Sequence, residues 1–169
     1  MNFVTLNALL KDARKNRYAI PAFDVSNYEM IRCVAEVCEE ERSPAILMCL
    51  KPDLEGKGLG FITAIAKYAS SSYDVPFCLH LDHATDFGDI EAAIREGFSS
   101  VMYDGSKLSF DENASNTGRV VKFAHKYGIS VEAELGHVAD AIAGTTTGLV
   151  ATNTDEEIEE NFTKPGNFC

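Results

Sequence analysis

The 169-residue sequence contains no tryptophan and only five prolines, and none of its apolar runs is long enough to cross a lipid bilayer. Its first ten residues also lack a basic region followed by a sustained apolar stretch, which a secretory signal would require. The sequence therefore predicts a packed globular protein with no membrane association. We expect it to reside in the cytoplasm.

Positive charge is scarce. Lysine and arginine together number 15, against 26 aspartates and glutamates, so the formal net charge is −11. A surface of this sign argues against general binding to nucleic acid or to an anionic membrane. It does not exclude a small anionic substrate, because a metal cation inside a cleft reverses the local field.

The five cysteines form no Cys-x-x-Cys pair, and their number is odd. Four of them lie within apolar runs, where a cysteine behaves as a small hydrophobic residue. This pattern predicts reduced core thiols of a cytosolic protein and not a disulfide framework or a zinc ribbon. The cysteines are Cys33, Cys38, Cys49, Cys78 and Cys169.

Short apolar segments alternate with amphipathic segments along most of the chain. The apolar segments predict strands, and the 3.6-residue periodicity of the others predicts helices. Residues 52–60 are predicted to form a loop. Strands are expected over 18–23, 44–50, 75–81, 99–103 and 129–135. Helices are expected over 5–16, 27–41, 61–70, 87–96 and 110–127.

This alternation, with strands apolar on both faces, indicates a parallel sheet with right-handed crossovers. About five βα units in succession favour a (β/α)8 TIM-barrel fold that is incomplete, since five strands cannot close an eight-stranded barrel. A doubly wound sheet is the alternative, but no Gly-x-Gly-x-x-Gly motif follows the first strand. We assign residues 1–138 to the amino-terminal part of a barrel and residues 139–169 to a mobile loop and truncated tail.

Polar residues follow three successive predicted strands. Asp82 and His83 end the third strand, Asp104 follows the fourth, and Glu134 lies at the end of the fifth. The carboxyl ends of parallel strands lie on one face of the sheet, so these side chains should meet there. For any one of them alone, a structural hydrogen bond is the alternative. Together they predict an acid–base or metal site. Glu132 lies two residues before Glu134 in the predicted strand, so both side chains should point to the same face of the sheet.

These residues belong to motifs that resemble the class II, metal-dependent fructose/tagatose-bisphosphate aldolase family, also called ketose-bisphosphate aldolases. The resemblance covers nearly all of residues 1–138, and several ordered motifs at the family's spacing make it specific. The motifs are Tyr18–Phe23 followed by Asn27 and Glu29, His80–His83, Gly97–Ser106 and Ser130–Gly136.

The resemblance implies a role for each predicted site residue. Asp82 would be the general acid/base, His83 a catalytic zinc ligand, and Asp104 and Glu134 ligands at a second or alternative metal position. The implied reaction is the reversible cleavage of fructose or tagatose 1,6-bisphosphate to glycerone phosphate and glyceraldehyde 3-phosphate. The implied partners are a sugar phosphate substrate and a second copy of the chain in a homo-oligomer, expected to be a dimer.

The sequence departs from the family pattern in several places, and two of these departures concern catalytic groups. The family draws two further zinc histidines from its second half, and its Gly-Gly-x-Glu-Asp segment is replaced by residues 138–142, which lack the glutamate. We do not expect His137 to be a substitute ligand, and we expect His80 to be a structural partner. The isolated chain should therefore be weakly active or inactive.

Two alternative functions remain open. One is a non-catalytic truncated paralogue that acts as a binding or assembly module, and the other is another metal-dependent phosphosugar barrel such as an epimerase.

Overall fold

The computed structural model describes residues 3–136, which form a five-stranded parallel sheet flanked by helices. The strands follow one another in the sheet in the order of the chain. They are Ala22–Asp24 (β1), Ala45–Leu50 (β2), Phe77–Ala84 (β3), Ser100–Tyr103 (β4) and Ser130–Ala133 (β5). The helices are Leu6–Asn16 (α1), Tyr28–Glu41 (α2), Lys51–Leu54 (α3), Gly58–Ser72 (α4), Phe87–Glu96 (α5) and Phe110–Ala124 (α6).

The parallel arrangement predicted from the sequence is confirmed. Local signals explain where the helices begin. The Asn27 side chain accepts a hydrogen bond of 2.9 Å from the Met30 amide at the start of α2. Ser109 and Glu112 form a reciprocal capping box at the start of α6. Within residues 3–136, no helix is both long and apolar enough to cross a membrane.

The segment after β2 differs from the predicted loop. The structure forms the short helix α3 there, and α4 already begins at Gly58, three residues before the predicted start. Pro52 lies in the first turn of α3, where the missing amide hydrogen of a proline leaves no intrahelical bond unmade. Proline was therefore a misleading loop signal at this position.

Strands β1 and β5 at the two edges of the described sheet are shorter than the sequence suggests. The first strand begins at Ala22 and not at residue 18, and all three of its residues are exposed. Pro21 has no amide hydrogen to donate, although its carbonyl accepts a bond of 2.9 Å from Ile46. The fifth strand ends at Ala133, so Glu134 lies just beyond it. The expectation that every strand is apolar on both faces holds best for the central strands.

The main hydrophobic core lies between the helices and one face of the sheet. Leu47, Leu79 and Val101 occupy the centres of β2, β3 and β4 and are fully buried. Ile31 of α2 and Ile90 of α5 pack in the same cluster and are likewise inaccessible to solvent. Burial of each such side chain contributes about 1.5–3 kcal/mol. This core fixes the positions of the three central strands, and two of them, β3 and β4, carry polar site residues at their ends.

The opposite face of the sheet is covered at its amino end by α1. Leu6 and Leu9 of this helix pack against Ile46 and Cys78, which alternate with the residues of the main core. The amide of Asn7 donates to the Ser130 hydroxyl at the start of β5. Helix α1 thus occupies the amino ends of the strands. Polar side chains gather at the carboxyl ends.

Candidate active site and metal centre

Three side chains at the carboxyl ends of β3, β4 and β5 converge on one another. The Nδ1 atom of His83 lies 3.0 Å from Oδ2 of Asp104 and 3.5 Å from Oε2 of Glu134. One potential ligand atom from each residue falls within 4.8 Å of the other two. Both carboxylates are largely shielded from solvent, whereas about half of the His83 side chain is exposed (51%). The cluster therefore presents one nitrogen and two oxygen donors to a common space.

A local irregularity in β3 brings Asp82 and His83 together. Consecutive residues of a regular strand point to opposite faces of the sheet. Here the pairing with β4 shifts register between Leu81 and Ala84, and His83 has a positive φ of 49°. A bulge of this kind redirects a side chain. As a result, Nε2 of His83 lies 4.0 Å from Oδ2 of Asp82, and both residues belong to the same polar group.

Asp104 is held by one hydrogen bond through its backbone and by another through its side chain. Its amide donates a hydrogen bond of 2.8 Å to the Ala84 carbonyl at the end of β3. Its Oδ1 atom accepts a bond of 3.0 Å from the Ser106 amide, which leaves Oδ2 directed at His83. Burial, the largest single contribution, raises the pKa of Asp104, but the bonds from Ser106 and His83 together outweigh it and lower the pKa. The carboxylate is therefore ionised at neutral pH.

Glu134 is held through its backbone by helix α6. The side-chain amide of Asn113 donates a hydrogen bond of 2.7 Å to the Glu134 carbonyl. Asn113 is itself buried, and its own carbonyl accepts a bond of 3.1 Å from the Thr117 hydroxyl. Gly105, which follows Asp104, lies directly against the Asn113 side chain. The loops after β4 and β5 are thus joined through one asparagine.

The donor chemistry of the cluster fits a divalent metal ion. Imidazole nitrogen and carboxylate oxygen are zinc ligands, and three protein ligands are typical of catalytic zinc sites. The pKa of His83 is raised, first by its hydrogen bond with Asp104 and then by the charges of Asp82 and Glu134. A proton on His83 therefore balances negative charge that a metal ion would balance instead. Proton and metal should compete for this imidazole.

Asp82 lies beside this cluster and contacts a second histidine. Nε2 of His80 is 3.7 Å from Oδ1 of Asp82, which is too long for a direct hydrogen bond but close for an electrostatic contact. His80 is the largest cause that lowers the pKa of Asp82, and His83 adds to it against the opposing effect of burial. Asp82 therefore has an ionised carboxylate with one oxygen near His80 and the other near His83.

The structure brings all four predicted site residues into one group and separates Glu132 from them. Glu132 is half exposed and approaches His80, at 3.6 Å from its Nε2 atom, whereas Glu134 approaches His83. The two-residue spacing of the glutamates therefore did not give them the same surroundings. His137 and the tail at 139–169 lie outside the described residues.

Sequence reasoning missed the residues that hold the site in place. These are Ser100, which contacts His80, Ser106, which contacts Asp104, and Asn113, which contacts Glu134. A signal for Asn113 was available, because it starts a stripe of buried residues at helical spacing along α6. The stripe continues through Thr117, Val120 and Ala124. A polar residue on such a buried stripe needs a partner.

Comparison with known proteins decides the family. The model of the class-II fructose-bisphosphate aldolase family matches residues 4–168. The chain belongs to this family. A fructose-bisphosphate aldolase from Giardia intestinalis is 40% identical over 137 residues, which are 80% of this chain and 42% of that protein.

Solved aldolase structures agree with this assignment. The YdjI aldolase of Escherichia coli K12 superposes with a TM-score of 0.76 at 33% identity, over 80% of this chain and 52% of that chain. A fructose-bisphosphate aldolase from Campylobacter jejuni gives a TM-score of 0.70 at 25% identity, over 80% and 47%. The chain thus spans about half the length of the aldolases it matches. Its sheet corresponds to part of their TIM-barrel-type fold.

Class-II aldolases are metal-dependent lyases, which agrees with the donor set formed by His83, Asp104 and Glu134. The carboxyl ends of the strands are also where active sites lie in TIM-barrel enzymes. The aldolase family and the polar cluster therefore indicate the same end of the sheet as the functional one.

Proposed function

We propose that this chain carries the acid–base residue and part of the metal site of a zinc-dependent ketose-bisphosphate aldolase. The reaction is the reversible cleavage of fructose or tagatose 1,6-bisphosphate to glycerone phosphate and glyceraldehyde 3-phosphate. The observation that supports this most directly is the group formed by Asp82 and the cluster of His83, Asp104 and Glu134. It combines an ionised carboxylate with three metal donors in a chain of the aldolase family.

Asp82 is the proposed general acid/base. Its lowered pKa keeps it ionised at neutral pH, so in the cleavage direction it begins as a proton acceptor. It takes the proton of the substrate hydroxyl as the carbon–carbon bond breaks, and it returns that proton in the direction of synthesis. A divalent metal held by the neighbouring cluster would supply the positive charge that polarises the substrate carbonyl.

The cluster residues have two tasks in this proposal. Asp104 and Glu134 would hold the metal, and they orient the His83 ring, which lies within 3.0–3.5 Å of their oxygens. Their negative charge also requires a cation at the site before an anionic sugar phosphate can approach. We place zinc here because the site combines imidazole with carboxylates, and we propose the cytoplasm as the location because the chain has the reduced-thiol pattern of cytosolic proteins.

A homo-oligomer, with a dimer as the simplest form, is part of the proposal. Within residues 3–136, β1 and β5 each pair with a neighbouring strand on one side only. Unpaired strand edges favour association with further chain. Static light scattering tests this, and a compact monomer at high protein concentration would contradict it.

The same open edges favour a second candidate, a non-catalytic module of the aldolase family that acts in binding or assembly. The described cluster contains one imidazole, His83, while catalytic zinc sites commonly use more histidines. Under this alternative, the chain binds metal or a partner chain but does not turn over ketose bisphosphates. Substrate cleavage discriminates the two candidates.

The deciding experiment measures cleavage of fructose 1,6-bisphosphate and tagatose 1,6-bisphosphate with and without added zinc. The aldolase proposal predicts turnover that is weak in this chain and that EDTA abolishes. Asp82→Asn should reduce it by about 100- to 10,000-fold, the usual contribution of general acid–base catalysis. Asp111→Asn, an exposed carboxylate change on α6, is the control and should leave turnover unchanged. Turnover that resists EDTA, or that survives Asp82→Asn, would refute the assigned roles.

A further inference from the structure

His80 is a buried polar residue that the proposed reaction does not use. Its side chain is 2% exposed, although it lies on the same strand as Asp82 and only two residues before it. Its Nδ1 atom is 2.8 Å from the Ser100 hydroxyl of β4. A hydrophobic residue would fill this position without the cost of burying a polar ring. The contacts of His80 therefore need an explanation.

The two nitrogens of the His80 ring contact different kinds of side chain. Nε2 lies 3.7 Å from Oδ1 of Asp82 and 3.6 Å from Oε2 of Glu132. Ionised carboxylates only accept hydrogen bonds, so they favour a proton on Nε2. With the ring proton on Nε2, Nδ1 carries the lone pair and accepts a hydrogen bond from the Ser100 hydroxyl. The two carboxylates thus favour the tautomer that directs an N–H group at Asp82, and the Ser100 hydroxyl holds the ring on its other side.

We propose that His80 is a positioning residue, fixed by Ser100, which holds one oxygen of Asp82 and leaves the other oxygen directed toward His83 and the substrate. Ser100 fixes the orientation of the His80 ring, and the ring fixes the orientation of the Asp82 carboxylate. Asp82 then faces the reacting atoms. The role assigned to Asp82 rests on the proposed function. The arrangement of Ser100, His80 and Asp82 does not depend on turnover and can be tested separately.

The first test reads the tautomer of His80 directly. Long-range ¹H–¹⁵N correlation spectra of the full 169-residue chain distinguish a protonated Nε2 from a protonated Nδ1, with His80→Gln used to assign the signal. We expect the proton on Nε2. In Ser100→Ala, the Nδ1 resonance should move downfield because it loses its donor, and Ser100→Thr should restore it.

The neighbouring serine provides a matched control. Ser99, the residue before β4, also has a buried hydroxyl, but this hydroxyl contacts Leu79 and Cys78 and not the imidazole. Ser99→Ala should therefore leave the His80 nitrogen signals in place. A proton on Nδ1, or a Ser100→Ala spectrum that matches that of Ser99→Ala, would overturn the proposal.

The second test reads the orientation of Asp82. Three-bond couplings to the Asp82 carboxyl carbon report whether its χ1 angle is fixed or averaged. We expect one rotamer in the unmodified chain and averaging in His80→Phe, which keeps a ring but has no N–H group. His80→Gln, whose amide can donate from a similar position, should restore the single rotamer. A fixed rotamer in His80→Phe would contradict the positioning role.

Kinetics separate this proposal from the proposed function. In an active preparation, His80→Phe should lower kcat about tenfold with little change in KM, because Asp82 would lose the contact that orients it in the transition state. A purely structural role would instead lower stability and affect both constants. Absence of turnover would favour the non-catalytic module over the aldolase, and the tautomer and rotamer measurements decide the role of His80 in either case.

Discussion

The side-chain amide of Asn113 in α6 donates a hydrogen bond of 2.7 Å to the main-chain carbonyl of Glu134. This bond ties the residue that follows β5 to a helix that begins after β4. Gly105, in the loop next to Asp104, packs against the same asparagine. The two carboxylates of the candidate metal centre are therefore positioned through one shared side chain. Disturbing Asn113 should affect the metal site without removing any ligand.

Gly105→Ala should produce that disturbance. The added Cβ would collide with the Asn113 side-chain amide, so Asn113 and the Glu134 backbone must move. We expect the free energy of unfolding to fall by about 1–3 kcal/mol, as for other overpacked sites. Zinc affinity should also fall. Urea unfolding followed by circular dichroism and titration calorimetry with zinc measure the two effects.

Gly118→Ala is the matched control for this change. Gly118 lies within α6, and a Cβ there meets open space. Alanine should therefore stabilise the helix by about 0.5–1 kcal/mol and leave zinc binding as it is. If Gly105→Ala were as stable as the unmodified chain and bound zinc equally well, the shared role of Asn113 would be refuted.

Removal of a ligand should weaken zinc binding selectively. Glu134→Gln and Asp104→Asn each replace a carboxylate oxygen within reach of His83 by a neutral amide. Changes around metal sites commonly cost 10- to 100-fold in affinity, so we expect a loss of at least about tenfold for each variant. Calorimetric titration of the chain with zinc gives the affinities.

Glu132→Gln is the control for the ligand variants, because Glu132 lies on the same strand but approaches His80 and not His83. Its zinc affinity should stay close to that of the unmodified chain. Equal losses in Glu132→Gln and Glu134→Gln would indicate a general charge effect and would remove the support for a defined metal site.

The ion pair of His83 with Asp104 should stabilise the metal-free chain in a pH-dependent way. The pKa of His83 is raised above its ordinary value of 6.5, first by Asp104. The contribution of this ion pair to the free energy of unfolding is therefore complete below that value. It is lost as the pH rises through the higher pKa that His83 has in the folded chain. The coupling between His83→Gln and Asp104→Asn in a double-mutant cycle should be larger at about pH 6 than at about pH 9.

At acid pH, the stability of the chain should depend on pH in the opposite direction. The pKa values of Asp82 and Asp104 are lowered from 3.8, so their contributions are present above that value and are lost as pH falls through the folded-state pKa. Urea unfolding of the EDTA-treated chain across this range measures both pH dependences. A His83–Asp104 coupling that grows from neutral to alkaline pH would show that the pair is not ionic.

The cysteines should differ widely in reactivity. Burial raises the pKa of Cys49 to about 12 and that of Cys78 to about 11, whereas Cys33 is exposed. At about pH 8, iodoacetamide should modify Cys33 at least about a hundredfold faster than either buried thiol, because the reactive thiolate is scarce and shielded there. Peptide mass spectrometry gives the site-specific rates. In denaturant the three rates should converge, and similar rates in the native chain would contradict the buried positions of Cys49 and Cys78.

Much of the architecture was predictable from local sequence patterns. Apolar runs and helical periodicity identified the parallel sheet, and parallel strands place their carboxyl ends together. That rule alone was enough to group Asp82, His83, Asp104 and Glu134. The pattern failed at α3, where Pro52 suits the first turn of a helix as well as it suits a loop. Proline by itself does not separate the two.

The sequence by itself therefore determined which residues stand at the strand ends, because strand order and side-chain alternation follow from local periodicity. The tertiary structure alone decided how they face each other. The positive φ of His83, the contact of Ser100 with His80 and the bond from Asn113 to Glu134 depend on strand pairing and on segments about 20 residues apart in the chain. Periodicity carries no information on such distances, because packing between distant segments sets them.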